Sequence, residues 1–208
     1  TTAYDMAMIG RQCFKSDKFM SIISLPTTYT IPATSMKSES RFFYNRYKLL
    51  PGREKEYAYS LGGKPGWTTV SGNTLVSFAE KDGMKLVCVV FKEETPYQFE
   101  DTVKLFQYGF ENFKKLMVDD YETKYSIDNL DLFNTGSDVF GDSTSLMSME
   151  SDSYIIVPNM AEFEDTDSKV TYSEETDSNV IATIEYSFSD VPIGTCEILF
   201  SSSLPEQF

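Results

Sequence analysis

The chain is predicted to be α+β: helices on an antiparallel sheet, then a small all-β sandwich. Three observations predict it. The stretch GGKPGWTTVSGNTLVSFAEKDGMKLVCVVF, residues 62–91, sets two apolar, β-prone runs on either side of Lys81-Asp82-Gly83, a hairpin signal. Gln98–Leu116 repeats Phe99, Val103, Phe106, Phe110 and Phe113 at helical spacing, as an amphipathic helix packed on a sheet does. Finally, the charge breaks sharply. Residues 1–117 hold 16 Lys+Arg and 12 Asp+Glu, a balance of +4, whereas residues 118–208 hold 2 and 20, a balance of −18. That break predicts two modules, 1–117 and 118–208, with the boundary near Met117–Tyr121.

The elements follow in order. Thr1-Thr2-Ala3-Tyr4-Asp5 has a hydroxyl cap and a first-turn acid, and Met6, Ile9, Cys13 and Phe14 recur behind it at helical spacing. A shorter helix is expected over Asp17–Leu25, stopped by Pro26, and a short strand over Thr27–Ile31 before Pro32. Residues 33–56 read as polar and irregular around the pair Leu49-Leu50. Tyr57–Trp67, Asn73–Ala79 and Met84–Phe91 read as three antiparallel strands. In the second module Tyr154–Pro158, Val170–Tyr172, Val180–Phe188 and Thr195–Phe200 are short strands between acidic, Ser-rich turns. Ser201–Pro205 reads as a linker. Because the chain starts inside a helical pattern without an initiator Met, it is expected to be a fragment.

Composition removes several functions. A formal charge of −14 argues against nucleic-acid binding through a basic face. Cys13, Cys88 and Cys196 are too few and too scattered for a disulfide framework or a zinc site. With no histidine, Ser-His-Asp and Cys-His mechanisms are impossible within this chain, and any nucleophile needs a lysine or carboxylate base. No run reaches the roughly 18 apolar residues of a membrane span. The cluster Glu162-Phe-Glu-Asp-Thr-Asp167 lacks the glycine and spacing of a calcium loop and reads as a solvated turn. No metal or cofactor is expected.

Lys-x-Gly at a strand start is a weak motif alone. The ordered set TTAYDMAMIGR, YTIP, FYNRYKLL, GGKPGWTTVSGNTLVSFAEKDGMKLVCVVF and FEDTVKLFQYGFENF is far more specific. Over residues 1 to about 116 it resembles the later half of the catalytic domain of the D-alanyl-D-alanine carboxypeptidases, low-molecular-mass penicillin-binding proteins of peptidase family S11. The remainder, with Tyr154-Ile-Ile-Val-Pro158 and Val180–Tyr186, resembles the β-rich C-terminal domain of the same family. The resemblance implies a penicillin-binding/β-lactamase-like fold and a secreted serine hydrolase of peptidoglycan biosynthesis and cell shape. It implies an extracytoplasmic place, at the cell wall or the outer face of the cytoplasmic membrane, with peptidoglycan stem peptides and β-lactams as ligands. It also implies membrane anchoring outside this chain and an accompanying N-terminal fragment. The second module would act as a spacer or partner contact, its charge repelling anionic wall polymers unless cations bridge them.

Three motifs build the family's site: Ser-x-x-Lys, Ser-x-Asn and Lys-Thr-Gly. No lysine here has a serine three residues before it, so the first motif is absent. Ser71-Gly72-Asn73 follows the Lys-x-Gly strand instead of preceding it and is read as a turn. Lys64-Pro65-Gly66 matches the third motif with proline for threonine. The resemblance assigns Lys64 as the catalytic cation beside nucleophile and substrate carboxylate. It assigns Pro65, Gly66, Trp67 and Thr68 to substrate binding, with the Trp67 N–H as an oxyanion donor. Gly66 lets a substrate backbone approach, and the edge pairs with it as an added strand. Pro65 is tolerated on an edge strand. The lost threonine hydroxyl removes a hydrogen bond to a charged group, about 1.5–3 kcal/mol, unless Thr68 or Thr69 replaces it. Trp67 itself is read as a wall residue, and Tyr47 receives no role. Two functions remain open: a serine D,D-carboxypeptidase present as a fragment without its nucleophile, or a degenerate relative that binds cell wall or partners.

Overall fold

The computed structural model describes residues 1–25, 28–123, 147–173 and 179–200. The chain divides into two compact units, Thr1–Glu111 and Asn112–Phe208. Among the described residues no helix is long and apolar enough to cross a membrane. Pro26 and Ser201–Pro205 lie outside the described residues.

In the first unit, α1 (Ala3–Phe14) starts at a capping box: the Thr2 hydroxyl accepts from the Asp5 N–H, and the Asp5 carboxylate accepts from the Thr2 N–H. Ser16 caps α2 (Asp17–Ile23). Strand β1 (Thr28–Ile31) pairs antiparallel with β2 (Arg41–Tyr44). Here the expectation of an irregular 33–56 is corrected. Arg-Phe-Phe-Tyr shows no polar–apolar alternation because it is exposed along its length, so periodicity has nothing to report.

The three-stranded sheet has the order β3 (Ser60–Thr68), β4 (Gly72–Lys81), β5 (Met84–Glu93). Asp82 and Gly83 both take positive φ, 50° and 75°, as a two-residue type I′ turn requires. Lys81 and Met84 close that turn. Counting from this pair, Ala79↔Leu86 and Ser77↔Cys88 exchange ladder bonds, so Val76 and Phe78 turn their backbone groups toward β3. Pro65 pairs with Leu75 and therefore occupies a position whose backbone faces away from β4. The proline costs the ladder nothing, and its carbonyl points to the open side of an edge strand.

Both faces of the sheet are covered. Gly10 lets α1 close onto Val76, Phe78 and Val87. On the other face α3 (Tyr97–Asn112) packs Phe106 and Phe110 with Ala79, Leu86, Cys88 and Val90, with Gly109 against Leu86. The expected helix to Leu116 ends at Asn112, and Phe113–Met117 is strand β6. Phe113 continues the helical spacing of Phe106 and Phe110, which masks the change. What decides it is non-local pairing with β8 (Tyr154–Pro158).

In the second unit β6 leads into one helical turn, α4 (Val118–Tyr121). A four-stranded sheet runs β7 (Met147–Met149), β11 (Val191–Phe200), β10 (Val180–Phe188), β9 (Asp167–Tyr172), and β6–β8 form the second sheet. Leu116, Ile155 and Val157 from one sheet share a core with Ile184, Tyr186 and Cys196 from the other, which makes the sandwich. Phe163–Asp165 forms a 3-10 turn capped by Glu162, whose N–H donates to the Asp165 carboxylate, and Glu162 pairs with Lys114 at 2.9 Å.

Candidate functional site

The site forms along the open edge of β3. Two glycines bring that strand close to its supports. Gly62, at φ +149°, lies so near α2 that a Cβ would stand 2.9 Å from the Ile23 side chain. Gly63 lies on the opposite face against the Tyr47 ring. Tyr47 is fully buried, and its hydroxyl meets Ser60 Oγ at 2.9 Å just before the bulge between Ser60 and Gly62. Burial pushes the Tyr47 phenol up to about 12, the facing Ser60 and Ser77 hydroxyls offsetting part of the effect. The strand is thus clamped up to Gly63 and emerges into solvent at Lys64.

Beyond the edge lies a groove of about 1220 Å³. One wall is Lys64, Pro65, Gly66 and Trp67, and the other is the end of α2 with Tyr29, Ile31, Phe43 and Tyr44 of the β1–β2 hairpin. Asn45 fixes these walls: its Nδ2 donates to the Ile23 and Leu25 carbonyls at 3.0 and 3.1 Å, and its Oδ1 accepts from the Tyr47 N–H at 3.0 Å. Arg46 lines the groove and is exposed. Neither Lys64 nor Arg46 makes an ion pair among the described residues, and no Asp or Glu is among the lining residues. A groove with two unpaired cations, in a chain of charge −14, is suited to a small anion. The Lys64 ammonium donates to the Pro65 carbonyl at 2.6 Å.

Of the five residues singled out from sequence, Lys64, Pro65, Gly66 and Trp67 meet at the groove. Thr68 stands beyond it, its hydroxyl bonded to Ser71 Oγ at 2.8 Å and accepting from the Ser71 N–H. Ser71 and Gly72, at φ +62°, build the β3–β4 turn, and Asn73 donates to the Glu93 carbonyl. The Thr68 hydroxyl is therefore spent locally and does not stand in for the missing threonine at 65. Ser21 lines the groove but gives its hydroxyl to the Lys18 carbonyl, so it is not set up as a nucleophile. Sequence reasoning missed Arg46, Asn45 and Tyr47. FYNRYKLL carried the resemblance, yet only the fold brings it beside Lys64.

Trp67, the single tryptophan, is 67% exposed on the groove wall. Its fluorescence should lie near that of indole in water and move to the blue when a ligand covers the groove. Emission already blue-shifted in the free chain would contradict this placement.

Residues 1–95 match the family model of D-alanyl-D-alanine carboxypeptidase, peptidase family S11. No curated protein gives a significant match. Among solved structures, penicillin binding protein 5 from Haemophilus influenzae is similar at 20% identity and a TM-score of 0.53, over 96% of this chain and 55% of that one. Penicillin binding protein 6B from Escherichia coli is similar at 18% identity and a TM-score of 0.50, over 95% of this chain and 49% of that one. At such identities the likeness is one of fold, and it takes in the second unit. This chain spans about half the length of these structures. The family match and the shared fold agree with the resemblance read from the motifs: residues 1–95, a little under half of the chain, are similar to the D-alanyl-D-alanine carboxypeptidase family.

Proposed function

We propose that the β3 edge and its groove are one wall of a serine D,D-carboxypeptidase site. The observation that carries this reading is Lys64 at the middle of an open edge strand, where the strand emerges into a groove without a carboxylate, inside the family-matched segment. In this reading residues 1–117 are the C-terminal part of a D,D-peptidase domain and 118–208 its acidic β domain. The Lys64 ammonium and the Arg46 guanidinium receive the terminal carboxylate of a peptidoglycan stem peptide. The peptide backbone pairs with the open edge, where the Trp67 N–H, facing away from β4, donates to the oxyanion. Ser-x-x-Lys comes from a part of the protein outside this chain. Its serine attacks the carbonyl carbon of the penultimate residue, the terminal D-alanine leaves with a proton on its amine, and water releases the acyl group. β-Lactams would acylate the same serine, and the protein would work outside the cytoplasm.

A second reading, a degenerate relative that binds cell wall or partners, is favoured by Pro65. Loss of the threonine hydroxyl removes a hydrogen bond worth about 1.5–3 kcal/mol, or ten- to a hundredfold in binding or rate. One measurement separates the two: intact-mass spectrometry with and without benzylpenicillin. The 23.6 kDa chain alone should gain nothing, and the protein that also contains Ser-x-x-Lys should gain one penicilloyl group. An adduct on this chain alone would overturn the assignment of the nucleophile. An unmodified longer protein would select the binding module.

A further inference from the structure

We infer that the groove binds a long-chain fatty acid, its tail along the apolar walls and its carboxylate at Arg46 and Lys64. This goes beyond the peptide reading and does not depend on it. Ile22, Tyr29, Phe43 and Trp67 all line the groove, and each is more than half exposed. Apolar side chains scattered singly on a surface need no explanation, but several on the walls of one groove mark a ligand site. Tyr29 and Phe43 stand opposite each other in the β1–β2 ladder and so share one face of the hairpin. The end of α2 adds Ile23 and Leu25. A helix end ordinarily leaves carbonyls bare, and a hydrocarbon covers bare carbonyls only at a cost. Here Asn45 Nδ2 occupies the Ile23 and Leu25 carbonyls, and the Ser21 hydroxyl is turned to the Lys18 carbonyl. At these positions the groove meets a ligand with apolar side chains and with carbonyls already satisfied.

The charges select the occupant. Arg46 and Lys64 make no ion pair among the described residues, and no Asp or Glu is among the lining residues. A neutral hydrocarbon would desolvate these cations and give them nothing in return. A quaternary ammonium suits aromatic faces but meets two like charges. A fatty acid is divided as the groove is, into a long apolar tail and one compact anion. The volume of about 1220 Å³ exceeds the roughly 300–1,000 Å³ of an ordinary small-molecule site, so a long tail has room. The open edge of β3 runs along the same wall as Trp67. A tail laid against that wall covers the edge, so a bound fatty acid and an added strand exclude each other.

The test titrates octanoate, decanoate and dodecanoate into the chain below their micelle concentrations while Trp67 emission is read. Decyl maltoside and decyltrimethylammonium supply the same decyl tail on a neutral and a cationic head. Affinity should rise about two- to fourfold per methylene through the three fatty acids. Decanoate should bind about tenfold more tightly than either of the other decyl compounds. That order is diagnostic, because non-specific adsorption to a chain of −14 would favour the cation. Phe43→Ser should weaken decanoate about three- to tenfold, and Arg46→Met should bring it toward the level of the maltoside. Phe43 and Arg46 are both exposed, and unchanged urea midpoints will show that the variants are folded. Absence of binding, an affinity independent of tail length, or a cation that binds as well as the anion overturns the proposal. So does decanoate binding that ignores both substitutions.

Discussion

Between pH 9 and pH 12 the N-terminal unit is expected to lose about 5 kcal/mol of stability through two buried groups, Tyr47 and Cys88. Burial pushes the Tyr47 phenol from an ordinary 10 up to about 12, and the Cys88 thiol from 9 up to about 11. Both titrate higher folded than unfolded. Their stabilisation is fully present below the unfolded values and is lost as pH rises through the folded ones, since the unfolded chain ionises first. A domain of this size has only about 5–15 kcal/mol in hand. Urea midpoints measured at intervals from pH 8 to pH 12 should therefore fall steeply. The fall should be shallower in Tyr47→Phe and in Cys88→Ala, each of which removes one of the titrating groups. Identical slopes in all three proteins would show that neither group drives the transition.

Gly63→Ala should destabilise the same unit by about 3 kcal/mol or more. An added Cβ would clash with the Cδ2–Cε2 edge of the Tyr47 ring and stand 2.7 Å from the Val76 carbonyl oxygen. Tyr47 is fully buried, and the Val76 carbonyl belongs to the sheet ladder, so neither can withdraw. Gly66→Ala is the natural control. There the Cβ meets only the Thr74 hydroxyl at 2.6 Å, a side chain that can rotate, and the cost should stay near 1 kcal/mol. Pairing Gly63→Ala with Tyr47→Leu should recover part of the loss, because the smaller side chain vacates the space. If Gly63→Ala unfolds within 1 kcal/mol of the unmodified chain, Tyr47 does not clamp the strand as described.

What could be read without coordinates was local. The capping box at Thr2 and Asp5, the Asp82-Gly83 turn and the alternation along β4 each leave their signal within a few residues. Lys64-Pro65-Gly66 was legible because a motif names its own chemistry, and Pro65 announced an edge because no interior strand accommodates it. Arg46 was not legible as a groove residue. Its partner in the site lies 18 positions away, and only Asn45, tied to the end of α2, brings the two together. Tyr47 failed for the same reason, since its role is to fill the space that Gly63 leaves. The strand at Phe113–Met117 failed differently: its first residue satisfies the helical repeat, and pairing with Tyr154–Pro158 overrides it.

The two borders of the three-stranded sheet differ in one further respect. Among the described residues β3 and β5 each pair only with β4. β3 is interrupted by a proline and guarded by a lysine, the devices with which proteins discourage edge-to-edge growth. β5 runs ten residues without a proline, with Val87 and Val89 at its middle. In a concentrated solution of this chain, strand recruitment between molecules would start at β5 and not at β3. Besides Lys85, Lys92 and the bulge near its end, the mutual repulsion of molecules carrying −14 opposes it, so added salt, which screens that repulsion, should shorten the life of a sample.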